Sequence, residues 1–223
     1  MPLQNRVTPS GALIATPARG LVYGNRGCLH DDEGRIRRRY AGKRWIACRL
    51  RYKGWHRSPL LQPGRFTELF FLDEATSFAA GHRPCALCRH DDYVRFSTIW
   101  HDLYPNEVGA DAMDARLHEE RVDAATRGQR RHPLPDRPIP NGTFLARGDD
   151  ALLVFDGSLL RWTSSGYEEA ASDRKGDLEL LTPPSVVEVL RRGWDGVVPS
   201  VHPSGREQAS ARPKAFVGRP NGI

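Results

Sequence analysis

The chain has 223 residues, enough for one large or two small domains with a genuine hydrophobic core. Hydrophobic residues make up 39% and charged residues 27%, values that are typical of globular proteins and exclude a fibrous or largely disordered chain. Because no apolar run approaches the roughly 18 residues of a membrane helix and no signal-peptide pattern is present, we expect a cytoplasmic protein without membrane contact.

The net charge of +6 is concentrated in the first half of the chain. Residues 1 to 103 have a net charge of +8, whereas residues 104 to 223 have a net charge of −2. Nearly all the cations are arginines, whose planar guanidinium suits phosphate and carboxylate recognition. A genome of high GC content would produce the same arginine bias, so the local arrangement of the cations is more informative than their number.

In chain order, residues 1 to 19 show no sustained period and are predicted to be a flexible arm. Alternating hydrophobicity predicts a strand over residues 44 to 53, with Cys48 facing inward, and a second, neighbouring strand over residues 66 to 72. Asp73 is a suitable N-cap for a short helix that Gly81 ends, and a tight turn then leads to a second helix with Phe96 and Trp100 on its apolar face.

The second half is predicted to contain a third helix over residues 110 to 124 and an Arg/Pro-rich loop or linker over residues 126 to 142. Short apolar runs separated by Gly and Asp then indicate an antiparallel meander, followed by a strand near residues 177 to 181 and a helix that opens at Pro184. The predicted class is therefore α+β. The predicted units are the arm (1–19), a zinc-binding module with a helical extension (20–125), the linker (126–142), a small β-containing part (143–202) and a disordered tail (203–223).

The four cysteines indicate a metal site. Cys85 and Cys88 have the Cys-x-x-Cys spacing with which one turn supplies two ligands to a tetrahedral ion, and Cys28 and Cys48 complete a predicted four-cysteine set. His30 is an alternative to Cys28 as a ligand. A redox motif would require a preceding strand in a thioredoxin-like unit, so zinc is the preferred cofactor, with free buried thiols as the alternative.

The residues around this turn resemble a known family. Residues 72 to 89 (LDEATSFAAGHRPCALCR) are similar to the zinc-binding domain of the Ada family of DNA alkylation-response proteins, in which a short helix precedes a Gly-aromatic-Arg-Pro-Cys-x-x-Cys turn. The resemblance covers residues 20 to 96 and implies that Cys85 and Cys88 are zinc ligands. His82 stands where the family has an aromatic residue. Because Cys28 and Cys48 are far apart, unlike the closely spaced first pair of Ada, the methyl-acceptor activity of Ada is not implied.

A basic and aromatic stretch lies between the predicted ligands. Residues 34 to 67 contain eleven cations and no acidic residue, with aromatic residues interleaved. Cations for phosphates and aromatic rings for base stacking are typical of a nucleic-acid surface. One alternative is a solvated basic face above core aromatics. A second is that Arg83 and Arg89, near the predicted ligands, only balance the negative charge of a zinc–thiolate centre. The predicted contact residues are Arg37, Arg38, Arg39, Lys43, Arg44, Trp45, Arg49, Arg51 and Lys53.

The third helix carries weaker catalytic candidates, Asp114 and His118, which share one helix face with Asp111 and Arg121. Such a cluster could bind a hydrolytic metal ion, although mixed charges at this spacing are more often a solvated helix face. We therefore expect a zinc protein that binds nucleic acid, in particular DNA, in a repair or genome-maintenance role. The alternatives are an enzyme, which transfers an alkyl group to a zinc-bound thiolate or hydrolyses a phosphodiester, and a zinc-stabilised protein-interaction module.

Overall fold

The computed structural model describes residues 1–55, 58–170, 176–193 and 201–211, which form two β-sheets and five α-helices. The first sheet has six short strands in the order β2-β1-β5-β3-β4-β6. The β1–β5 and β4–β6 pairs are parallel, and the other pairs are antiparallel. The strands are β1 (Arg6–Val7), β2 (Leu13–Ile14), β3 (Val22–Asn25), β4 (Ile46–Cys48), β5 (Leu69–Phe71) and β6 (Arg83–Pro84).

The second sheet is the predicted antiparallel meander, with the order β10-β9-β8-β7-β11. Its β8–β9 turn consists of Asp156 and Gly157, both with positive φ, which is the conformation that two-residue hairpins favour. The strands are β7 (Phe144–Arg147), β8 (Asp150–Phe155), β9 (Ser158–Thr163), β10 (Gly166–Glu169) and β11 (Glu179–Leu180).

Four of the five helices lie close to their predicted positions, and the fifth was not predicted. The Asp73 carboxylate accepts a hydrogen bond from the Thr76 amide (2.8 Å) at the start of the first helix, and Gly81 follows its end with φ of 78°. In the second helix, Phe96 and Trp100 are fully buried, as predicted. The helices are α1 (Glu74–Ala79), α2 (His90–Leu103), α3 (Gly109–Arg121), α4 (Pro184–Arg191) and α5 (Pro203–Ser210).

The largest hydrophobic core crosses the predicted boundary between the first module and the C-terminal part. It joins Phe78 of α1, Trp100 of α2 and Leu117 of α3 to Phe144 and Leu153 of the second sheet. The predicted linker contacts both parts of the chain. Gln129 Nε2 donates to the carbonyl oxygen of Ala79 in α1 (2.8 Å) and to that of Leu181, which follows β11 (3.0 Å). Residues 126–142 therefore run along the surface of a core that both parts of the chain share.

Both ends of the chain are more ordered than predicted. The predicted flexible arm supplies β1 and β2, and Val7 of β1 is fully buried beside β5. The predicted disordered tail begins with α5, which packs on β10; residues 212–223 of that tail lie outside the described residues. Isolated two-residue strands and short polar helices have weak local signals, so these elements depend on tertiary pairing.

The predicted pair of neighbouring strands is also different in the structure. The β3 strand lies between β4 and β5, so the two predicted strands are not adjacent. Pairing of β4 with β3 ends at Tyr23 and Cys48. Leu50, which alternation in the predicted strand places on the same inward face as Cys48, is 48% exposed. Across the described ranges, no helix has the length and apolar character needed to span a bilayer.

Candidate metal centre

Three of the four cysteines meet at the edge of the first sheet. Cys48 is the last residue of β4, and Cys85 follows directly after β6. Parallel pairing of these strands sets Ala47 opposite Pro84, and the Cys85 amide donates to the Ala47 carbonyl (2.9 Å). Cys88 closes the same turn just before α2. The parallel β4–β6 pair thus brings together cysteines that are 37 positions apart in the sequence.

The three sulfur atoms all lie within 4.8 Å of one another, a cluster that could hold a metal ion. Cys48 and Cys85 are each 8% exposed, and Cys88 is partly exposed. The Arg49 amide points at the Cys88 sulfur (3.4 Å), and the Leu87 and Cys88 amides donate to Cys85. Backbone N–H groups aimed at sulfur stabilise thiolates, the form in which cysteine binds metals.

The electrostatics of the cluster favour a single thiolate, at Cys85, with the pKa values of the Cys48 and Cys88 thiols both raised. Hydrogen bonds from Cys48 and Cys88 lower the pKa of the Cys85 thiol to about 2. The same contacts with Cys85 and Cys88, together with burial, raise the pKa of the Cys48 thiol. A thiolate at Cys85 is therefore stabilised by protons on its neighbours, and a bound cation would take the place of those protons.

Cys28 and His30 do not join this cluster, so the predicted four-cysteine set and its His30 alternative are corrected to three cysteines within the described chain. The Cys28 thiol is 3.6 Å from the His30 carbonyl oxygen, and both ring nitrogens of His30 have partners, Thr67 Oγ1 (2.7 Å) and the Gln62 carbonyl (3.1 Å). Because Tyr23 of β3 lies opposite Cys48 and β3 then runs back along β4, the chain carries Cys28 away from the cluster.

The two arginines beside the turn are neutralised by carboxylates. Arg83 forms two hydrogen bonds with Asp114, and Arg89 pairs with Glu74 and Asp92. The hypothesis that both arginines balance the charge of the metal–thiolate centre therefore has no support in these contacts. Instead they connect the turn to α1, α2 and α3.

The same contact corrects the catalytic candidates on α3. Both carboxylate oxygens of Asp114 accept hydrogen bonds from Arg83 (3.0 and 2.7 Å), and both side chains are 3% exposed. The His118 ring packs edge-on against Tyr40 (5.1 Å between centroids), and burial lowers the pKa of His118. Asp114 is thus occupied by a structural ion pair and is not available to bind a hydrolytic metal.

Eight of the nine predicted nucleic-acid contacts are exposed, and the ninth, Trp45, is not. Trp45 is 3% exposed because it packs beneath Arg26, Arg121 and His82. The accessible tryptophan of the stretch is Trp55, which is 58% exposed. Lys53, two residues before it, is also exposed. The aromatic type of Trp55 and its position after a strand with alternating cations could have indicated this. The eight exposed residues are Arg37, Arg38, Arg39, Lys43, Arg44, Arg49, Arg51 and Lys53.

Two of the exposed cations are engaged by acidic side chains. Arg37 forms an ion pair with Asp31 (2.7 Å), and Arg44 forms one with Asp111 (3.2 Å). Lys53 lies over the ring of Tyr52, 5.4 Å from its centroid. The cations that follow Cys48 in the chain, Arg49, Arg51 and Lys53, are exposed and have no ion pair within the described residues.

Comparison of the chain with protein-family models, with curated proteins and with solved structures finds no match. The resemblance of residues 20 to 96 to the Ada zinc-binding domain therefore stays a prediction, carried by the residues around Cys85 and Cys88. The α+β class and a three-cysteine cluster able to hold a metal ion are the findings on which a function can be built.

Proposed function

We propose that Cys48, Cys85 and Cys88 bind zinc and that the protein binds nucleic acid through the cations beside this centre. The observation that carries the proposal is the convergence of three sulfur atoms within 4.8 Å at a sheet edge. From that edge the chain continues directly into the exposed residues Arg49, Arg51 and Lys53.

Zinc is favoured by the chemistry of the donor set. Soft thiolates select zinc, copper(I) or iron–sulfur clusters, and a Cys-x-x-Cys turn with a more distant cysteine is a frequent zinc arrangement. The short strands of the first sheet offer little intrinsic stability. Since a metal that binds only the folded chain adds its binding free energy to folding, zinc would hold β4, β6 and the turn together.

Nucleic acid is favoured as the partner by the side chains that follow Cys48 in the chain. Arg49, Arg51 and Lys53 project into solvent, and no carboxylate of the described chain lies within 4.0 Å of their charged nitrogens. Trp55 is 58% exposed, and its ring lies edge-on to Tyr52 (5.7 Å between centroids). Cations for phosphates beside an accessible aromatic ring for a base are the elements of single-strand recognition.

The choice of DNA, and of repair or genome maintenance as the role, follows from the Ada-like residues around Cys85 and Cys88. Of the enzymatic alternatives, alkyl transfer would use Cys88 in preference to Cys28, because Cys88 belongs to the cluster and is partly exposed. The zinc-stabilised interaction module differs from the main proposal in one measurable respect, which is the absence of salt-dependent DNA binding.

The experiment has two parts. Elemental analysis of the purified protein is expected to find one zinc per chain, lost in Cys88→Ser. Fluorescence anisotropy with a labelled oligonucleotide is expected to show binding that weakens steeply with salt. In Arg51→Gln the slope of log K against log salt is expected to be smaller by about 0.7 to 0.9. Arg19→Gln, which removes an exposed cation outside the stretch, is the matched control.

Each part can fail separately. Protein without stoichiometric metal would contradict the zinc centre. DNA affinity that is absent or independent of salt would contradict the nucleic-acid partner and favour a protein partner instead. Equal slopes for Arg51→Gln and Arg19→Gln would show that overall charge, not this surface, determines the binding.

A further inference from the structure

Two arginines are buried side by side around Trp45. Arg26 and Arg121 are each 1% exposed, and their guanidinium carbons lie 4.7 Å and 4.0 Å from the centre of the Trp45 ring. Together they form the floor of a small pocket between the N-terminal hairpin, the end of α3 and the segment that follows α3. Burying even one uncompensated charge is costly, so two like charges in one place require an explanation.

The protein provides only part of the compensation. Arg26 Nη2 donates to the Gly11 carbonyl (2.8 Å), and Arg121 donates to the carbonyls of Gly81 (2.6 Å) and Lys43. The Nε atoms of both arginines are buried without a hydrogen-bond partner. In the described ranges, no carboxylate oxygen lies within 4.0 Å of either guanidinium. These groups thus have neutral acceptors, and the counter-charge that Asp114 and Glu120 give Arg121 acts without direct contact.

The surroundings add positive charge. Arg39 and Arg127 stand at the rim of the pocket, and Arg127 lies over the Tyr40 ring (5.7 Å). Burial and the field of Arg39 lower the pKa of Arg26 to about 9. For Arg121, burial and the repulsion from Arg26 and Arg83 outweigh the attraction of Asp114 and lower the pKa to about 9. The remaining lining residues carry no acidic group: Ser10, Gly11, Tyr40, Trp45, Val122, Gly128 and Gln129.

A neutral imidazole lies behind this cluster. His82 is fully buried, 5.2 Å from Trp45 between ring centroids, and neither of its ring nitrogens has a hydrogen-bond partner. On α3, the Asp114 carboxylate is hydrogen-bonded to Arg83, and it acts on Arg121 only through its field, as does Glu120. The group is therefore rich in donors, and no anion is in contact with Arg26 or Arg121 within the described residues.

We propose that this pocket binds a phosphate-type oxyanion, which supplies a directly contacting counter-charge between Arg26, Arg121 and the rim arginines. Guanidinium groups match the oxygens of a phosphate in geometry and charge. The pocket as a whole encloses about 10 Å³, room for one water or one oxyanion oxygen and too little for a nucleobase, so the other oxygens of the anion would lie outside it beside Arg39 and Arg127. The site is separate from the cysteine cluster and does not depend on the proposed function.

The same ligand chemistry has two sources, free inorganic phosphate and the terminal phosphate of a larger molecule. Isothermal titration of the full chain with sodium phosphate, at ionic strength held constant with sodium chloride, measures the first. Competition by an oligonucleotide with a 5′-phosphate, compared with the same oligonucleotide ending in a 5′-hydroxyl, detects the second. In parallel, thermal unfolding measures the stabilisation that a ligand of the folded state provides.

Two rim variants, Arg127→Gln and Arg39→Gln, keep the buried arginines and the folded core intact. Arg65→Gln is the matched control, because Arg65 is an exposed cation of the basic stretch that does not line the pocket. We expect saturable phosphate binding with a rise in Tm, at least tenfold weaker binding in both rim variants, and unchanged binding in Arg65→Gln.

The outcomes that overturn the site are equally specific. Absence of saturable heat, with the same Tm in phosphate and in chloride, would show that the buried arginines only hold backbone carbonyls. Equal losses in all three variants, or equal displacement by both oligonucleotides, would assign the binding to the general basic surface. Displacement by the 5′-phosphate alone identifies a terminal phosphate, and displacement by neither identifies free phosphate; both support the pocket. Because the readout is phosphate, failure of DNA binding would not affect it.

Discussion

Arg83 and Asp114 form a buried ion pair that joins the cysteine turn to α3. The guanidinium donates twice, from Nε to Oδ1 (3.0 Å) and from Nη2 to Oδ2 (2.7 Å), and both side chains are 3% exposed. Burial raises the pKa of the Asp114 carboxyl, and the hydrogen bonds from Arg83 oppose that effect. The hydrogen bonds thus offset only part of the cost of burial while the pair is complete, and either charge alone would be buried without its partner.

Replacement Asp114→Asn keeps the shape of the side chain and removes its charge. Removing one member of a buried ion pair costs about 3–5 kcal/mol of unfolding free energy. We expect a loss of about 3 kcal/mol, at the lower end because the amide oxygen still accepts one hydrogen bond. In a chain of this size that corresponds to a decrease in Tm of roughly 6–12 °C.

The assay is urea unfolding followed by tryptophan fluorescence, with Asp111→Asn as the control. Asp111 lies on the same helix and pairs with Arg44, but the two side chains are 89% and 69% exposed, so its loss is expected to be less than about 0.5 kcal/mol. A similarly small loss of unfolding free energy in Asp114→Asn would refute the conclusion that removing one charge leaves Arg83 buried without a partner. It would reopen a role for Asp114 in chemistry.

Two further predictions concern buried polar groups. Burial, reinforced by Arg26 and Arg121, holds the pKa of His82 well below its usual value of 6.5, so the unfolded chain binds a proton that the folded chain does not. The free energy of unfolding is therefore expected to fall by up to about 1.4 kcal/mol per pH unit below about pH 6.5. In urea titrations across that range, His82→Phe is expected to remove this contribution. An unchanged dependence of unfolding free energy on pH in the variant would contradict the prediction. The Tyr167 hydroxyl donates to the buried Asp73 carboxylate (2.7 Å), and Tyr167→Phe is expected to cost about 2 kcal/mol in the same assay, since hydrogen bonds to charged groups contribute about 1.5–3 kcal/mol. Tyr52→Phe, at a partly exposed position, is its control, and equal losses for the two would count against the prediction.

Sequence alone predicted the elements whose signals are local. Asp73 and Gly81 delimit α1 because a cap and a left-handed residue act within one helical turn. The short apolar runs and the Asp156–Gly157 turn between two of them predicted the antiparallel meander, because a two-residue turn sets the pairing of its flanking strands locally. Cys85 and Cys88 lie in one turn of the chain, so their spacing alone predicted that both contribute to a candidate metal site.

Tertiary structure alone decided what depends on long-range pairing. The parallel β4–β6 contact selects Cys48 for the cluster, and the antiparallel direction of β3 removes Cys28, although both cysteines precede the turn in the sequence. Burial also depends on distant residues. The sequence pattern predicts Trp45 as an outward aromatic residue in a basic strand, but Arg26 and Arg121 pack over its ring. Charge in a sequence shows how many cations a chain has, whereas only packing shows which of them lack a counter-charge, because that depends on neighbours far away along the chain.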